Sequence, residues 1–284
     1  MMTLIRQLIW GTCLLSAVGC AGGLGGGNRP DAVTKVDEES CTRPQIERGQ
    51  RRPIIDGIGW VVGIPAKIIL WDRRVDNHNI SPETEATITQ YVNERGLEET
   101  KVRLNQYAPG DEWRRLTANH NVGAGWRYTL GVWTWLDEAI FPGRIFGTDH
   151  YNPYTNTISI YSDTSAIAIK EGGRARDLRS RKYPGTYAAV NSLPLVSMWH
   201  ETVATGYAFE YLHSDRPDVE QEGYRLLYPA YGAHLGGDLV WFTSIPTTIG
   251  AAVGAIPGHI VGRMEGRRHL PPETARAQSD SIDK

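Results

Sequence analysis

The chain has little cysteine, little phenylalanine and almost no net charge, and each shortage removes a class of function. Its three cysteines stand at positions 13, 20 and 41. Cys13 falls in an N-terminal leader and Cys20 directly follows it, so only Cys41 is left for the body of the protein and no intrachain disulfide framework can be built. Cys41 lies in the polar segment 38–44 and reads as an exposed thiol rather than a nucleophile. Thirty basic residues against 32 acidic ones give a formal net charge of −2, without the basic excess that marks a nucleic-acid partner. No Gly-x-Ser-x-Gly elbow and no Gly-x-x-x-x-Gly-Lys-Ser/Thr loop occurs, which argues against a serine hydrolase or phosphate-loop enzyme. Phenylalanine is scarce, four residues, beside nine tryptophans and thirteen tyrosines. Aromatics with a polar edge suit an envelope or interfacial protein with many half-wet contacts.

What is present begins with a leader. Residues 1–19 combine Arg6, an apolar run over 8–15 and small residues before Cys20, the layout of a secretory signal too short to span a bilayer. Ala17-Val18-Gly19-Cys20 resembles the lipobox of bacterial lipoproteins. That resemblance implies acylation of Cys20, palmitate included, as the first residue of the mature chain. It also implies attachment to the outer membrane facing the periplasm, because no aspartate follows Cys20. The membrane, through this anchor, is the expected partner, together with other envelope proteins. Residues 20–53, glycine-rich at first, read as a flexible tether.

The expected body, residues 54–235, is an α+β domain. Residues 54–70 are apolar but broken by Asp56, Pro65 and Lys67, which predicts a buried or interfacial helix. Ser81-Pro82 predicts an N-cap and first helical position for a helix over 83–95, with Gly96 closing it. Residues 101–107 alternate as a strand expected to pair with 157–161, and 111–116 form a short helix. Residues 126–141 are aromatic-rich, with a strand followed by a helix as one option that periodicity does not settle, and 219–227 read as a helix preceding 228–232.

The most legible stretch runs from Asp149 to Thr205. A strand with its turn occupies 150–163, a helix 165–178, and a second helix 195–205 that carries His200 and Glu201. The order of strand, Glu-bearing helix and second Glu-bearing helix resembles the core of the gluzincin zinc metallopeptidases. In that family the first helix carries His-Glu-x-x-His, two zinc ligands one turn apart with the glutamate as general base, and the later helix supplies a carboxylate ligand. Here Lys170-Glu171-Gly172-Gly173-Arg174 occupies the place of that motif. By the resemblance, Glu171 matches the general base and Glu201 the third ligand, while Lys170 and Arg174 replace both histidines. Lysine has no lone pair until it loses its proton and arginine keeps its own, so the pair repels a metal ion and the resemblance implies a degenerate site without a cofactor. Zinc held by His150, His200 and Glu201, with Glu171, is the alternative. His200 and Glu201 project about 100° apart on one helix, which makes a shared metal awkward, and His213 has no ligand spacing to Glu201. Without the resemblance, Glu171 between Lys170 and Arg174 reads as a solvated helix face, and Gly172-Gly173 costs such a helix about 2 kcal/mol against alanine unless something packs closely there.

Toward the C-terminus, 24 residues between Asp238 and Arg263 carry no Asp, Glu, Lys or Arg. Gly250, Gly254, Gly258 and Gly262 recur every four residues, resembling the glycine zippers of membrane-associated proteins. Residues 236–265 are therefore expected as a glycine-rich apolar segment that packs on, or shares a membrane surface with, the similar segment at 59–69. Residues 266–284 are expected as a disordered tail. Three functions follow: a non-catalytic metallopeptidase-like lipoprotein with a binding or envelope role, an active metallopeptidase with unusual ligands, or a structural glycine-zipper membrane protein.

Overall fold

The computed structural model describes residues 45–269; the leader, Cys20, Cys41 and the tail beyond His269 lie outside them. The fold is α+β: a four-stranded mixed sheet inside a mostly helical protein. Strands β1 (Ile46–Arg48), β2 (Lys101–Leu104) and β4 (Thr157–Ile160) run parallel, and β3 (His150–Asn152) forms the antiparallel edge, in the order β1-β2-β4-β3. The pairing expected between 101–107 and 157–161 is present, with Val102 opposite Ile158 and Leu104 opposite Ile160. β2 stops at Leu104, because Asn105 turns to φ 48°. The chain at 150–163 is a hairpin rather than one strand, turned through Asn156 at φ 53°.

Alternation sorts the two sheet faces. Val102, Leu104, Ile158 and Ile160 point into the main core, where they meet helix α3 (Pro82–Glu94) and helix α8 (Ser165–Arg179). The opposite face is polar in sequence but sealed: Arg103 is 2 % exposed and is gripped by Glu112 at 2.6 Å, Glu47 at 2.9 Å and Asp111. Glu112 and Asp111 come from α4 (Pro109–Ala118), which covers that face.

Local signals account for most boundaries. Ser81 Oγ accepts the Thr84 N–H at 3.2 Å with Pro82 just inside α3, and Gly96 follows the helix at φ 63°. The apolar stretch at 54–70 is two helices, α1 (Pro53–Val62) and α2 (Ile64–Leu70), bent by 50°. Pro65 lacks an N–H and cannot continue the first helix. Residues 126–141 contain no strand. They run from α5 (Ala124–Trp126) through a π-helical turn (Arg127–Gly131) into α6 (Val132–Ile140). That turn brings Leu130 and Gly131 against Leu116 and Tyr154 in a second, smaller core. A short α7 (Gly143–Phe146) precedes β3.

After the hairpin, α8 is followed by α9 (Pro184–Asn191), α10 (Ser197–Ser214), α11 (Pro217–Leu239) and α12 (Thr247–Arg268). α8 is enclosed on all sides, with twelve of its fifteen residues buried, so the solvated face suggested by Lys170 and Arg174 does not exist. Its two glycines make that enclosure possible. A Cβ on Gly172 would lie 2.6 Å from the Tyr91 ring of α3, and one on Gly173 would lie 2.7 Å from the Ala204 carbonyl of α10.

The same device joins α11 to α12 as an antiparallel pair. Gly236 meets Gly250, Gly232 meets Gly254, and Gly258 and Gly262 lie against Tyr228 and Tyr224. α11 crosses position 236 without interruption and carries Pro229 inside it. The segment at 59–69 packs on α12 through α2, where His259 Nε2 donates to the Ile69 carbonyl at 2.8 Å, while Gly59 faces His78 and Arg144. No single described helix is long and apolar enough to cross a membrane, although α1 and α2 together have the length and composition. A Cβ at Gly236 would stand 2.1 Å from the Gly250 carbonyl oxygen. Gly236→Ala is therefore expected to push α11 from α12 and lower stability by about 1–3 kcal/mol in chemical denaturation, whereas Gly57→Ala, with open space around it, leaves stability unchanged or raised.

Candidate functional site

The centre of the molecule is a four-residue charge cluster on α8 and α10. Lys170 and Arg174 stand one turn apart on α8, so both project toward α10, where Glu201 meets them. Lys170 Nζ lies 2.8 Å from Glu201 Oε1 and 3.6 Å from Glu171 Oε1. Arg174 bonds Glu171 at 3.1 Å through one terminal nitrogen and Glu201 through the other. Both carboxylates are sealed, Glu171 with 1 % and Glu201 with 2 % of the side chain exposed.

A buried carboxylate without a partner is strongly disfavoured, and here each has two cationic partners. Lys170 and Arg174 carry +2 and Glu171 and Glu201 carry −2, so the cluster is neutral. Burial alone would raise the Glu201 pKa, but the charges of Arg174 and Lys170, with His234 of α11 adding to them, hold it well below the ordinary value of 4.5. For Arg174, burial opposes the cation, and the two glutamates outweigh it and raise its pKa further. The ionised forms of Glu201 and Arg174 are thus favoured by each other, and the guanidinium has no lone pair to offer a metal.

The histidines singled out in the sequence go to other partners. His200, although adjacent to Glu201, places Nδ1 2.9 Å from Asp177 Oδ2. Asp177 is fully buried and also accepts from Tyr187 Oη at 2.6 Å and from Arg181. Burial pushes the Asp177 pKa up, and these three donors more than reverse it. The roughly 100° between consecutive helical positions is what separates His200 from Glu201. His150, on the edge strand, places Nε2 3.2 Å from Glu138 Oε1 and Nδ1 2.9 Å from the Thr148 carbonyl. Burial works to lower its pKa, but the hydrogen bond and charge of Glu138 raise it to about 9, so at neutral pH the ring is a cation without a lone pair. His150, His200 and Glu201 thus do not converge on one point, although the Glu171 charge reaches His150.

One constellation has no counterpart in the sequence pattern. His213 at the end of α10, Glu220 near the start of α11 and His269 just past α12 bring one ligand atom each within 4.8 Å of one another. Their Nδ1 atoms lie 2.8 and 3.9 Å from Glu220 Oε1, on either side of the roughly 3.3 Å that tetrahedral zinc with bonds of about 2.0–2.2 Å requires. His269 lies flat against Tyr224, with ring centres 5.3 Å apart. Glu220 and His269 are too far apart in sequence for any spacing rule to join them. His234 was equally hidden, because it acquires its role only when α8, α10 and α11 pack.

Since the folded-state pKa of Glu201 is depressed, its stabilising contribution is complete above pH 4.5 and is lost as pH falls below that value. Glu201→Ala is expected to cost about 3–5 kcal/mol at pH 7, because Lys170 and Arg174 are left sharing one buried carboxylate. Lys170→Met combined with Glu201→Leu is expected to cost less, since Arg174 and Glu171 keep each other. Urea denaturation at pH 7 and pH 4 checks both, with the Glu201→Ala protein showing the weaker loss on acidification. No family model, curated protein or solved structure matches the chain.

Proposed function

We propose that this protein is a lipid-anchored module of the bacterial cell envelope, built on a metallopeptidase-like layout, that works by binding or by organising envelope components and not by hydrolysis. The observation that carries the reading is the neutral cluster of Lys170, Glu171, Arg174 and Glu201. A zinc site of the resembled family would present two carboxylates to one dication; here two side-chain cations deliver the same two positive charges to two carboxylates. The lysine ammonium and arginine guanidinium occupy the space between Glu171 and Glu201, so a general base at Glu171 has no metal-bound water to activate. The layout that supports the resemblance is an antiparallel edge strand, a hairpin strand beside it, the Glu171-bearing helix, and a Glu201-bearing helix packed on it. Attachment at Cys20 to the outer membrane, facing the periplasm, follows from the lipobox-like sequence.

Zinc at Glu201, with His150 and His200, is the alternative, enzymatic reading, and the separate partners of those histidines disfavour it. If the protein carries a structural metal, the ligands His213, Glu220 and His269 fit it better. A glycine-zipper membrane role is disfavoured in its simplest form, because the glycines of α12 are occupied by α11.

Elemental analysis of the purified protein separates these readings. Any zinc present is expected to be the same in native protein and in a Glu171→Gln, Glu201→Gln variant, and to depend on His213. Stoichiometric zinc that disappears only in the glutamate variant would restore the enzyme reading. Lys170→His with Arg174→His is expected to gain about one zinc per chain with Glu201 as third ligand; a folded variant that takes up none would count against the metallopeptidase-like layout. Cys20→Ser is expected to move the protein from a detergent-requiring membrane fraction to one released by salt alone, and continued need for detergent would make it an integral protein.

A further inference from the structure

Away from the charge cluster, α2, α11 and α12 border an open cavity of about 490 Å³ whose wall carries Arg74, Arg225, Arg263 and Arg267. Two acids, Asp72 and Glu222, share that wall, and both are taken by Arg74, at 2.7 and 2.6 Å. Among the described residues no carboxylate forms an ion pair with Arg225, Arg263 or Arg267. Four guanidinium groups against two carboxylates leave the cavity with a surplus of two positive charges. Its floor is preformed. Trp71, in the left-handed region at φ 54°, stacks on the His259 ring at 3.9 Å, and the Arg263 guanidinium carbon lies 4.6 Å from the centre of the Trp71 ring. Ring stacking and the His259 bond to the Ile69 carbonyl therefore fix the place from which Arg263 acts.

The outer ridge of α12 adjoins this wall. Ile249, Val253, Ile256, Ile260 and Met264, spaced by four, three, four and four residues, are all more than half exposed. That spacing makes one continuous stripe, and Arg263 and Arg267 border it on the same helix. The glycine face of α12 is turned to α11, so nothing described covers the stripe.

We propose that this cavity is a phosphoryl-anion site and that the phosphoryl group it takes is the headgroup phosphate of a membrane phospholipid, with the α12 stripe entering the acyl region beside it. Guanidinium forks match phosphate oxygens in pairs, and a surplus of two positive charges suits an anionic headgroup. An apolar helical stripe edged by arginine is the pattern of a segment lying in the plane of a membrane interface. The inference rests neither on acylation of Cys20 nor on the Lys170 cluster, and its failure would leave both untouched.

The test uses the full chain carrying Cys20→Ser, so that no acyl group accounts for binding. Co-sedimentation at low salt is compared for vesicles of phosphatidylglycerol and of phosphatidylcholine, and inorganic phosphate is titrated calorimetrically into the same protein. Binding to phosphatidylglycerol vesicles and to phosphate, with little binding to phosphatidylcholine, is expected. Arg225→Gln, Arg263→Gln and Arg267→Gln together are expected to weaken both by about tenfold or more, while Ile256→Ser with Ile260→Ser weakens only vesicle binding. Phosphate binding without vesicle binding would overturn the lipid assignment and leave a soluble phosphoryl ligand. Failure of the native-sequence cavity to bind either probe would overturn the site, as would unchanged affinities in the triple arginine variant.

Discussion

Two carboxylates sealed inside a protein have to be neutralised there, and the neutralisation of Glu171 and Glu201 is the constraint on which the central layers depend. Lys170 and Arg174 reach both acids only because α8 and α10 lie close together, and that closeness depends on Gly173, whose missing Cβ makes room for the Ala204 carbonyl. On the other side Gly172 admits the Tyr91 ring of α3. The glycines that look like a defect in an isolated helix are thus the condition for burying it. Buried ion pairs of this kind contribute little net stability over an apolar replacement, yet losing one member is strongly destabilising.

The same backbone-to-backbone closeness recurs between α11 and α12, and it determines which surface is left over. Gly250, Gly254, Gly258 and Gly262 turn inward, and an apolar ridge of the same helix turns outward beside the arginine-lined cavity. His259 links the two sides, since its ring carries Trp71 and its Nε2 holds the end of α2. The centre of the protein is consequently neutral and closed, whereas the end formed by α2, α11 and α12 is cationic, open and partly apolar.

Much of this was legible along the chain where the physics is local. Ser81-Pro82, Gly96, the alternation at 101–104 and the turn residues before Thr157 act within a few positions of themselves, and the elements they announce are present. The reading failed where a local pattern was overruled by packing. Residues 126–140 are aromatic and undecided in periodicity, and they become helical with a π turn because Leu130 and Gly131 have Leu116 and Tyr154 to meet. Pro229 did not end its helix, because α12 lies along it. The polar face of β2 is covered by α4, and Arg103 is paired there with Glu47, Asp111 and Glu112.

The sequence by itself determined the local patterns: Glu171 set between Lys170 and Arg174, glycines at four-residue spacing, and the cap and turn residues that bound the elements. These follow from side-chain chemistry and short-range periodicity. Only the tertiary structure decided their partners. It gave His200 to Asp177, His150 to Glu138, Glu201 to Lys170 and Arg174, and the zipper glycines to α11. Each of those pairings joins segments 12 to 31 residues apart, or two separate helices, and no spacing rule reaches across an intervening fold.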